Sequence, residues 1–246
     1  MMARTLAALL LVVGALAFAA ACGGDDDAPP TRDTSGGAKS TATQPAAKGN
    51  IVDEITKVDY PAELLDGMSL GKADAPVTIQ MFEDFTCSHC LEFTATLEPG
   101  IIEELVKPGK ARLEFHYFPL RQSSVPAMVA AQCAAEQDQF WAYGKRLFTE
   151  QAKADVLPKD QVGPALTAAF SQASLKQYAT DLGMDGAAFD TCYTGDAALQ
   201  KVLDDGRKGD ALGVQGTPTF VINGTPLLNG YPSTVAEWTK LVENTK

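Results

Sequence analysis

The sequence has few basic residues for its size. Its 246 residues include 20 Lys and Arg against 31 Asp and Glu, which gives a formal net charge of −11. Proteins that bind nucleic acid present a basic face, so this balance argues against that class of function. The sequence also lacks an internal repeat. With 46% hydrophobic and 21% charged residues, it has the composition of a soluble globular protein with a sizeable core.

Large apolar residues are scarce between residues 23 and 49, a segment rich in Gly, Asp, Pro, Ser, Thr, Ala and Lys. Such a segment cannot bury enough surface to fold, so we predict a disordered tether over residues 23–50. The preceding run Leu6–Ala21 is apolar but short for a membrane span, and it follows the basic Arg4. We therefore interpret residues 1–22 as an export signal.

The export signal ends in small residues that directly precede Cys22. This layout resembles a bacterial lipoprotein signal, in which the cysteine carries the lipid, although Ala19 stands where such signals usually have Leu. We predict that Cys22 is lipidated and anchors the protein to the bacterial cell membrane. Plain secretion with Cys22 incidental, or an uncleaved anchor, are the alternatives. All three place the folded part outside the cytoplasm.

The motif Cys87–Cys90, of sequence CSHC, follows a strand-like run, Val77–Phe82, and opens a helix-like run, Leu91–Val106. Two thiols at this spacing on the first turn of a helix lie within disulfide reach of each other. The first thiol also meets the positive end of the helix dipole and free backbone N–H groups, which stabilise its thiolate. A strand, a CxxC motif and a helix in this order predict a thiol–disulfide exchange site.

Cysteine is scarce as well, with five residues in the chain. Lipidation would use Cys22, and the redox pair uses Cys87 and Cys90. Cys133 and Cys192 then remain as an even pair that an oxidising compartment could join.

The first predicted elements form a β-α-β unit. The strand Val77–Phe82 is followed by the helix after the CxxC motif, which should kink or break near Glu98 because Pro99-Gly100 follows. Leu113–Tyr117 then alternates between apolar and polar residues, which predicts a second strand. A β-α-β unit implies parallel pairing of its strands and a right-handed crossover.

The remaining elements are a block of helices and a β-β-α unit. Thr217–Ile222 reads as a strand, Asn223-Gly224 as a tight hairpin turn, and Leu227 as the start of the partner strand. A capping box at Thr234–Glu237 opens a last helix. We predict an α/β, thioredoxin-like fold with an inserted helical domain. Its first half is residues 51–119, the helical insertion is residues 120–212, and the second half is residues 213–246.

From about Met68 to its C-terminus, the chain resembles the DsbA family of extracytoplasmic thiol–disulfide oxidoreductases. The resemblance is carried by four segments: 75–79 (APVTI), 84–90 (DFTCSHC), 133–141 (CAAEQDQFW) and 213–220 (GVQGTPTF). A CxxC motif alone is only moderately specific. Its combination with a distant Gly-Thr-Pro-Thr-Phe at a strand start is a strong family signal.

The residue chemistry assigns different roles to the two thiols. Cys87, at the helix N-terminus, should be the exposed nucleophile with a low pKa, and Cys90 the more buried resolving thiol. His89 should stabilise the Cys87 thiolate through a hydrogen bond or its charge, as the resemblance to strongly oxidising members implies. The alternative is an exposed histidine that has no part in the chemistry.

The resemblance also implies a substrate-binding loop at Thr217-Pro218. Its peptide bond should be cis, the loop should face the CxxC motif, and the Thr217 backbone should pair with the extended chain of a substrate. Ser88 is expected to face the substrate as well. A trans proline that opens an edge strand is the alternative.

One position departs from the family pattern. Many members carry a buried acid six residues before the first cysteine, which moves a proton to or from the resolving thiol, and here that position is Met81. Glu83 lies on the same strand face by the period-two rule and is nearer the site. Glu83 or a water molecule is therefore the candidate for the proton relay.

Cys133 and Cys192 both fall in the predicted helical block. Their neighbourhoods resemble those of family members with a second, structural disulfide at this place. Two buried free thiols are the alternative.

The resemblance implies an enzyme that introduces disulfides into reduced exported proteins through Cys87 and Cys90, without a cofactor. A membrane quinone-linked thiol oxidase would re-oxidise it, and we expect a monomer that binds no nucleic acid. One alternative is a disulfide reductase or isomerase kept reduced by a membrane partner. Another is a metal-binding module that uses Cys87, His89 and Cys90. No fourth protein ligand is evident, so we predict no metal site.

Overall fold

A computed structural model of the protein describes residues 51–245. The predicted export signal, the tether and the lipidation of Cys22 lie outside the described residues.

Six strands form one sheet in the described part of the chain, in the order β1-β2-β4-β3-β5-β6. The central strand β3 pairs in parallel with β4 and antiparallel with β5. This pairing confirms the predicted β-α-β unit. The bounds of the strands are Leu65–Asp66 (β1), Ser69–Leu70 (β2), Val77–Glu83 (β3), Ala111–Tyr117 (β4), Thr219–Ile222 (β5) and Thr225–Pro226 (β6).

Helices surround this sheet. The bounds of those within residues 51–245 are Ile51–Lys57 (α1), Ser88–Thr96 (α2), Glu98–Ile101 (α3), Val125–Ala135 (α4), Phe140–Asp155 (α5), Lys159–Ala169 (α6), Gln172–Asp181 (α7), Gly186–Thr194 (α8), Asp196–Ala211 (α9) and Val235–Asn244 (α10). Within these residues, none of the helices has both the length and the apolar character that crossing a membrane requires.

The helix that follows the CxxC motif is interrupted, as predicted. It ends at Thr96, resumes as α3 at Glu98, and continues as a π-helical turn over Ile102–Val106. Pro99 causes the interruption because it has no N–H to donate to the preceding turn.

The C-terminal hairpin differs in one detail from its prediction. Asn223 and Gly224 both have positive φ angles and form the tight turn. The partner strand is Thr225–Pro226, however, and the prediction that it starts at Leu227 was wrong. A two-residue turn brings Thr225 directly opposite Ile222, so pairing starts without a spacer.

The helices α4–α9 lie between β4 and β5 in the chain. Cys133 of α4 and Cys192 of α8 form a disulfide, with an S–S distance of 2.06 Å and a Cα–Cα distance of 5.6 Å. This bond confirms the predicted pairing. After β6, Thr234 and Glu237 form the predicted capping box, and α10 packs the fully buried Trp238 against Phe93 and Phe220.

Candidate active site

Asp84 orders the loop that joins β3 to the CxxC motif. Its carboxylate is fully buried and accepts hydrogen bonds from the backbone N–H of Thr86 at 2.7 Å and that of Leu120 at 2.9 Å. The Thr86 hydroxyl donates to the same carboxylate at 2.8 Å. These hydrogen bonds satisfy the buried carboxyl oxygens of Asp84 and fix the position from which α2 begins.

Cys87 directly precedes α2, where the backbone N–H groups of the first turn have no partner within the helix. Hydrogen bonds from the Cys90 thiol and from the backbone N–H groups of Cys90 and His89 lower the pKa of Cys87 from 9.0 to about 5. Burial opposes this shift only in part, because 9% of the residue remains exposed. The lowered pKa makes Cys87 a thiolate at neutral pH. The prediction that Cys87 is exposed was wrong, because the loop and α2 cover all but a small edge of it.

Cys90 has the opposite environment. It is one turn into α2 and fully buried, and both cysteines carry free thiols. Burial raises the pKa of Cys90 well above its usual value, and the hydrogen bond to Cys87 and the charge of Glu83 raise it further. One helical turn thus places a thiolate next to a thiol, which is the asymmetry that directed disulfide exchange requires.

The loop at Thr217-Pro218 faces this pair. Its peptide bond is cis, which confirms the prediction. Because Phe82 pairs with Thr219 across the sheet, the residues just before β5 lie beside those just after β3. The Cys87 sulfur lies 3.2 Å from the carbonyl oxygen of Thr217, to which the thiol form donates a hydrogen bond.

Ser88 and His89 occupy the first turn of α2 and are exposed. The His89 ring keeps 73% of its surface in solvent, and its Nδ1 lies 3.7 Å from a carboxylate oxygen of Glu92. It is the backbone N–H of His89 that stabilises the Cys87 thiolate. A role for the ring in catalysis stays a prediction.

Glu83, the last residue of β3, lies behind the cysteines. Only 1% of it is exposed, and neither carboxylate oxygen has a hydrogen-bond partner among the described residues. Burial raises the pKa of Glu83 well above its usual range, and the charges of Glu98 and Cys87 add to this effect. Met81 is equally buried and lines the same small cavity as Glu83.

Comparison with known proteins agrees with this geometry. Residues 63–244 match the thioredoxin family. The chain belongs to that family. Within it, the protein is a thiol–disulfide oxidoreductase of the DsbA type, as its curated relatives and its structural neighbours together indicate.

Two curated relatives come from bacilli. The probable disulfide bond formation protein D of Bacillus cereus is 29% identical over 161 residues, which cover 63% of this chain and 69% of that protein. Disulfide bond formation protein D of Bacillus subtilis is 25% identical over 201 residues, which cover 80% of this chain and 78% of that protein. Among solved structures, α-DsbA1 of Wolbachia pipientis shares the fold, with a TM-score of 0.58 at 22% identity over 75% of this chain and 94% of that one.

One polar group near the site of this oxidoreductase was missed by sequence reasoning. Glu98 at the start of α3 is 1% exposed, and burial raises its pKa to about 8. The Tyr60 hydroxyl donates to it at 3.3 Å. The available signal was the four-residue spacing of Cys90, Thr94 and Glu98, which places all three on one helical face.

No group of three or more His, Cys, Asp or Glu side chains arranged to hold a metal ion occurs between residues 51 and 245.

Proposed function

We propose that this oxidoreductase works as an oxidase that introduces disulfides into exported proteins through Cys87 and Cys90. The observation that carries the proposal is the lowered pKa of Cys87, to about 5. A stabilised thiolate favours the reduced form of the pair, which makes the Cys87–Cys90 disulfide a strong oxidant. It also makes Cys87 a good leaving group in the final exchange step.

The proposed reaction has two exchange steps. A substrate thiolate attacks the Cys87 sulfur of the oxidised pair, a substrate–Cys87 disulfide forms, and the electron pair of the broken bond leaves with Cys90. Glu83 supplies the proton that the Cys90 sulfur takes up. A second substrate thiolate then attacks the substrate sulfur and releases Cys87 as a thiolate. The substrate loses two electrons, and the Cys87–Cys90 pair gains them.

The Thr217 carbonyl is the proposed contact for the backbone of the substrate. When the Cys87 thiol is protonated, this oxygen accepts its hydrogen. An ionised or disulfide-bonded Cys87 has no such hydrogen, so the carbonyl is then available for a substrate N–H.

Two grooves next to the cysteines suit an unfolded substrate chain. One, of about 380 Å³, includes Thr217 and Pro218, and the other, of about 550 Å³, includes Ser88 and the apolar Leu91 and Leu157. The apolar wall of the second groove accommodates the side chains that an unfolded protein exposes, and the more polar first groove suits its backbone. The proposed substrate-facing residues are therefore Ser88, Thr217 and Pro218.

The proposed location is extracytoplasmic, with the lipidated Cys22 as membrane anchor. The apolar run that precedes Cys22 supports this location, as do the names of the two Bacillus relatives, which refer to disulfide bond formation. A membrane quinone-linked thiol oxidase would restore the Cys87–Cys90 disulfide after each turnover. If the anchor exists, Cys22→Ala moves the protein from the membrane fraction to the soluble extracytoplasmic fraction, and an unchanged distribution contradicts it.

A stoichiometric reaction tests the direction of electron flow. The oxidised protein is mixed with a reduced peptide that contains two cysteines, and both partners are analysed by mass spectrometry after acid quenching. The expected result is one peptide disulfide per Cys87–Cys90 pair reduced. If the pair remains oxidised while the peptide stays reduced, and the reduced protein instead opens peptide disulfides, the protein is a reductase.

The variant Cys90→Ser supplies the matched control for this reaction. Its Cys87 forms a mixed disulfide with a peptide disulfide but has no neighbouring thiol to resolve it. Accumulation of that adduct at Cys87 supports the assigned roles, whereas an adduct at Cys133 or Cys192 contradicts them.

A further inference from the structure

A small cavity lies behind the CxxC motif. Its volume is about 10 Å³, close to what a single water molecule needs, and its polar lining includes Tyr60, Glu83 and Glu98. Aromatic rings such as Phe85 and Phe148 close the remaining sides. Two buried carboxyl groups therefore share one nearly dry space, and one of them, Glu83, acts electrostatically on the resolving thiol of Cys90.

The hydrogen bonds of the two carboxyl groups are unequal. Glu98 accepts one from the Tyr60 hydroxyl at 3.3 Å, and its other oxygen has no partner among the described residues. Both oxygens of Glu83 lack a partner in the same part of the chain. A buried ionised carboxylate needs hydrogen bonds, so negative charge is better accommodated on Glu98 than on Glu83.

We propose that Glu98 is the first of the two groups to ionise and that its charge then keeps Glu83 protonated for proton transfer to Cys90. Glu98 acts through Glu83 and is a positioning residue for the proton. This inference rests on the exchange reaction proposed for Cys87 and Cys90.

The electrostatics of the cavity follow from the groups that face it. Two ionised carboxylates in one apolar cavity repel strongly, so such pairs lose their protons in separate steps. The pKa of Glu98 is about 8, whereas Glu98 itself helps to raise the pKa of Glu83. The other titratable groups that line it are Tyr60, from the segment after α1, and Lys145 of α5. Cys87, directly before α2, and Cys90 of α2 do not line the cavity but interact electrostatically with Glu83.

The consequence concerns the bond-breaking step. When substrate attacks Cys87, the electron pair of the S–S bond passes to the Cys90 sulfur, and the Glu83 carboxyl gives it a proton. In the reverse direction, the Cys90 thiol gives its proton to the Glu83 carboxylate before it attacks. The charge on Glu98 therefore sets the pH above which Glu83 changes from donor to acceptor.

The test follows the rate at which Cys90 resolves a mixed disulfide between Cys87 and glutathione, as a function of pH. Reduced protein is mixed with excess oxidised glutathione, and release of the second glutathione is recorded. The resolution rate should rise with pH as Glu83 loses its proton and becomes able to accept the proton of Cys90. In Glu98→Gln the repulsion between the two carboxylates is absent, so Glu83 ionises at lower pH and this rise moves to lower pH by about one unit. Glu104→Gln, an exposed change in the same helical segment, should leave the profile in place.

A double variant separates a positioning role from a merely structural one. Glu83→Gln should remove the rise assigned to Glu83, and adding Glu98→Gln to it should cause no further shift. Two results would overturn the inference. One is a pH–rate profile of Glu98→Gln that superimposes on that of the parent. The other is a Glu98→Gln shift of the same size when Glu83 has been replaced by Gln. Exchange through Cys87 and Cys90 would still be measured in that case. Failure of the proposed function would appear separately, as a parent protein whose oxidised form leaves the two-cysteine peptide reduced.

The unsubstituted protein provides a second measurement that does not depend on folding of a variant. NMR of the side-chain carboxyl carbons should show Glu98 titrating near pH 8, with Glu83 responding to that step while it remains protonated. Independent single-step titrations of the two residues would contradict the inference.

Discussion

The two cysteine pairs of the described chain differ in nearly every property that governs thiol chemistry. Cys87 and Cys90 are three residues apart at the start of a helix and carry free thiols, one of them a thiolate at neutral pH. Cys133 and Cys192 are 59 residues apart, join two helices and are bonded to each other. The first pair has the properties of a reactive site and the second those of a structural crosslink, although all four residues are cysteines.

The difference shows that environment decides whether a cysteine pair reacts. A helix N-terminus supplies N–H groups that stabilise the Cys87 thiolate, and an edge of that residue is open to substrate. Cys133 is fully buried within α4, where attack by an outside thiolate is hindered. A structural disulfide of this kind persists, whereas an accessible and polarised one is exchanged.

The largest expected effect is on exchange. Cys87→Ser removes the sulfur that the substrate thiolate attacks, and no Cys87–Cys90 disulfide can form, so oxidation of a dithiol peptide should fall to the background rate of the peptide alone. The paired change Cys133→Ala with Cys192→Ala should leave the rate within about twofold of the parent. Stopped-flow measurement of peptide oxidation compares the two, and equal losses in both variants would remove the functional distinction between the pairs.

The next largest expected effect is a loss of stability on removal of the Cys133–Cys192 disulfide. Opening the Cys133–Cys192 loop, with its separation of 59 residues, should lower the free energy of unfolding by about 4 kcal/mol in the chain-entropy model. Urea unfolding of the double alanine variant measures this loss. The matched control is Cys87→Ala with Cys90→Ala, whose closed loop is far shorter. A larger loss of unfolding free energy in this control than in the variant without Cys133 and Cys192 would contradict the structural role of the Cys133–Cys192 disulfide.

A third prediction concerns redox state and pH. The folded pKa of Cys87, about 5, lies below its unfolded value near 9, so the folded reduced protein binds fewer protons between these limits. The lowered pKa of Cys87 therefore adds to the free energy of unfolding of the reduced protein. This contribution is fully present above pH 9 and is lost as the pH falls through 5. At pH 7 it amounts to about 2 kcal/mol after allowance for solvent screening.

Urea unfolding of the reduced and oxidised proteins at pH 7 and at pH 4.5 measures this contribution. The stability of the reduced form relative to the oxidised form should be greater at pH 7. A difference that does not change with pH would mean that Cys87 is not a thiolate in the folded protein.

The smallest expected effect comes from the His89 ring. His89→Ala keeps the backbone N–H that stabilises the Cys87 thiolate and removes only an exposed ring beside Glu92. The pKa of Cys87 should therefore rise by less than about one unit, because charges exposed to solvent are strongly screened. Thiolate absorbance as a function of pH measures the shift, and a rise of several units would restore the ring as the main source of stabilisation.

Much of the fold could be predicted because its signals are local. The β-rich run Val77–Phe82 and the alternation along Leu113–Tyr117 predicted both central strands, and Pro99 predicted the break in the helix. The strands β1 and β2 were not predicted, since two residues each carry no detectable period. Their pairing depends on β4, which is distant in the sequence.

The site was predictable in part. The CxxC motif and the Thr217-Pro218 loop have distinctive sequences, and Glu83 followed from strand parity. Glu98 and Tyr60 reach the site only through the packing of α1, α3 and β3, and neither has a sequence motif of its own. Sequence reasoning anticipated that backbone N–H groups at the start of α2 stabilise the Cys87 thiolate, and it added the His89 ring, whose role stays a prediction. It did not anticipate the hydrogen bond from the Cys90 thiol, which is the largest cause of the lowered pKa of Cys87.

The central claim is that the protein fold stabilises the Cys87 thiolate and so makes the Cys87–Cys90 disulfide an oxidant. Equilibration of this pair with glutathione buffers, together with titration of the Cys87 thiolate, tests the claim directly. The account predicts a Cys87 pKa near 5 and a reduction potential well above the value of about −270 mV found for thioredoxin. A potential near that of thioredoxin, with an ordinary cysteine pKa, would contradict it.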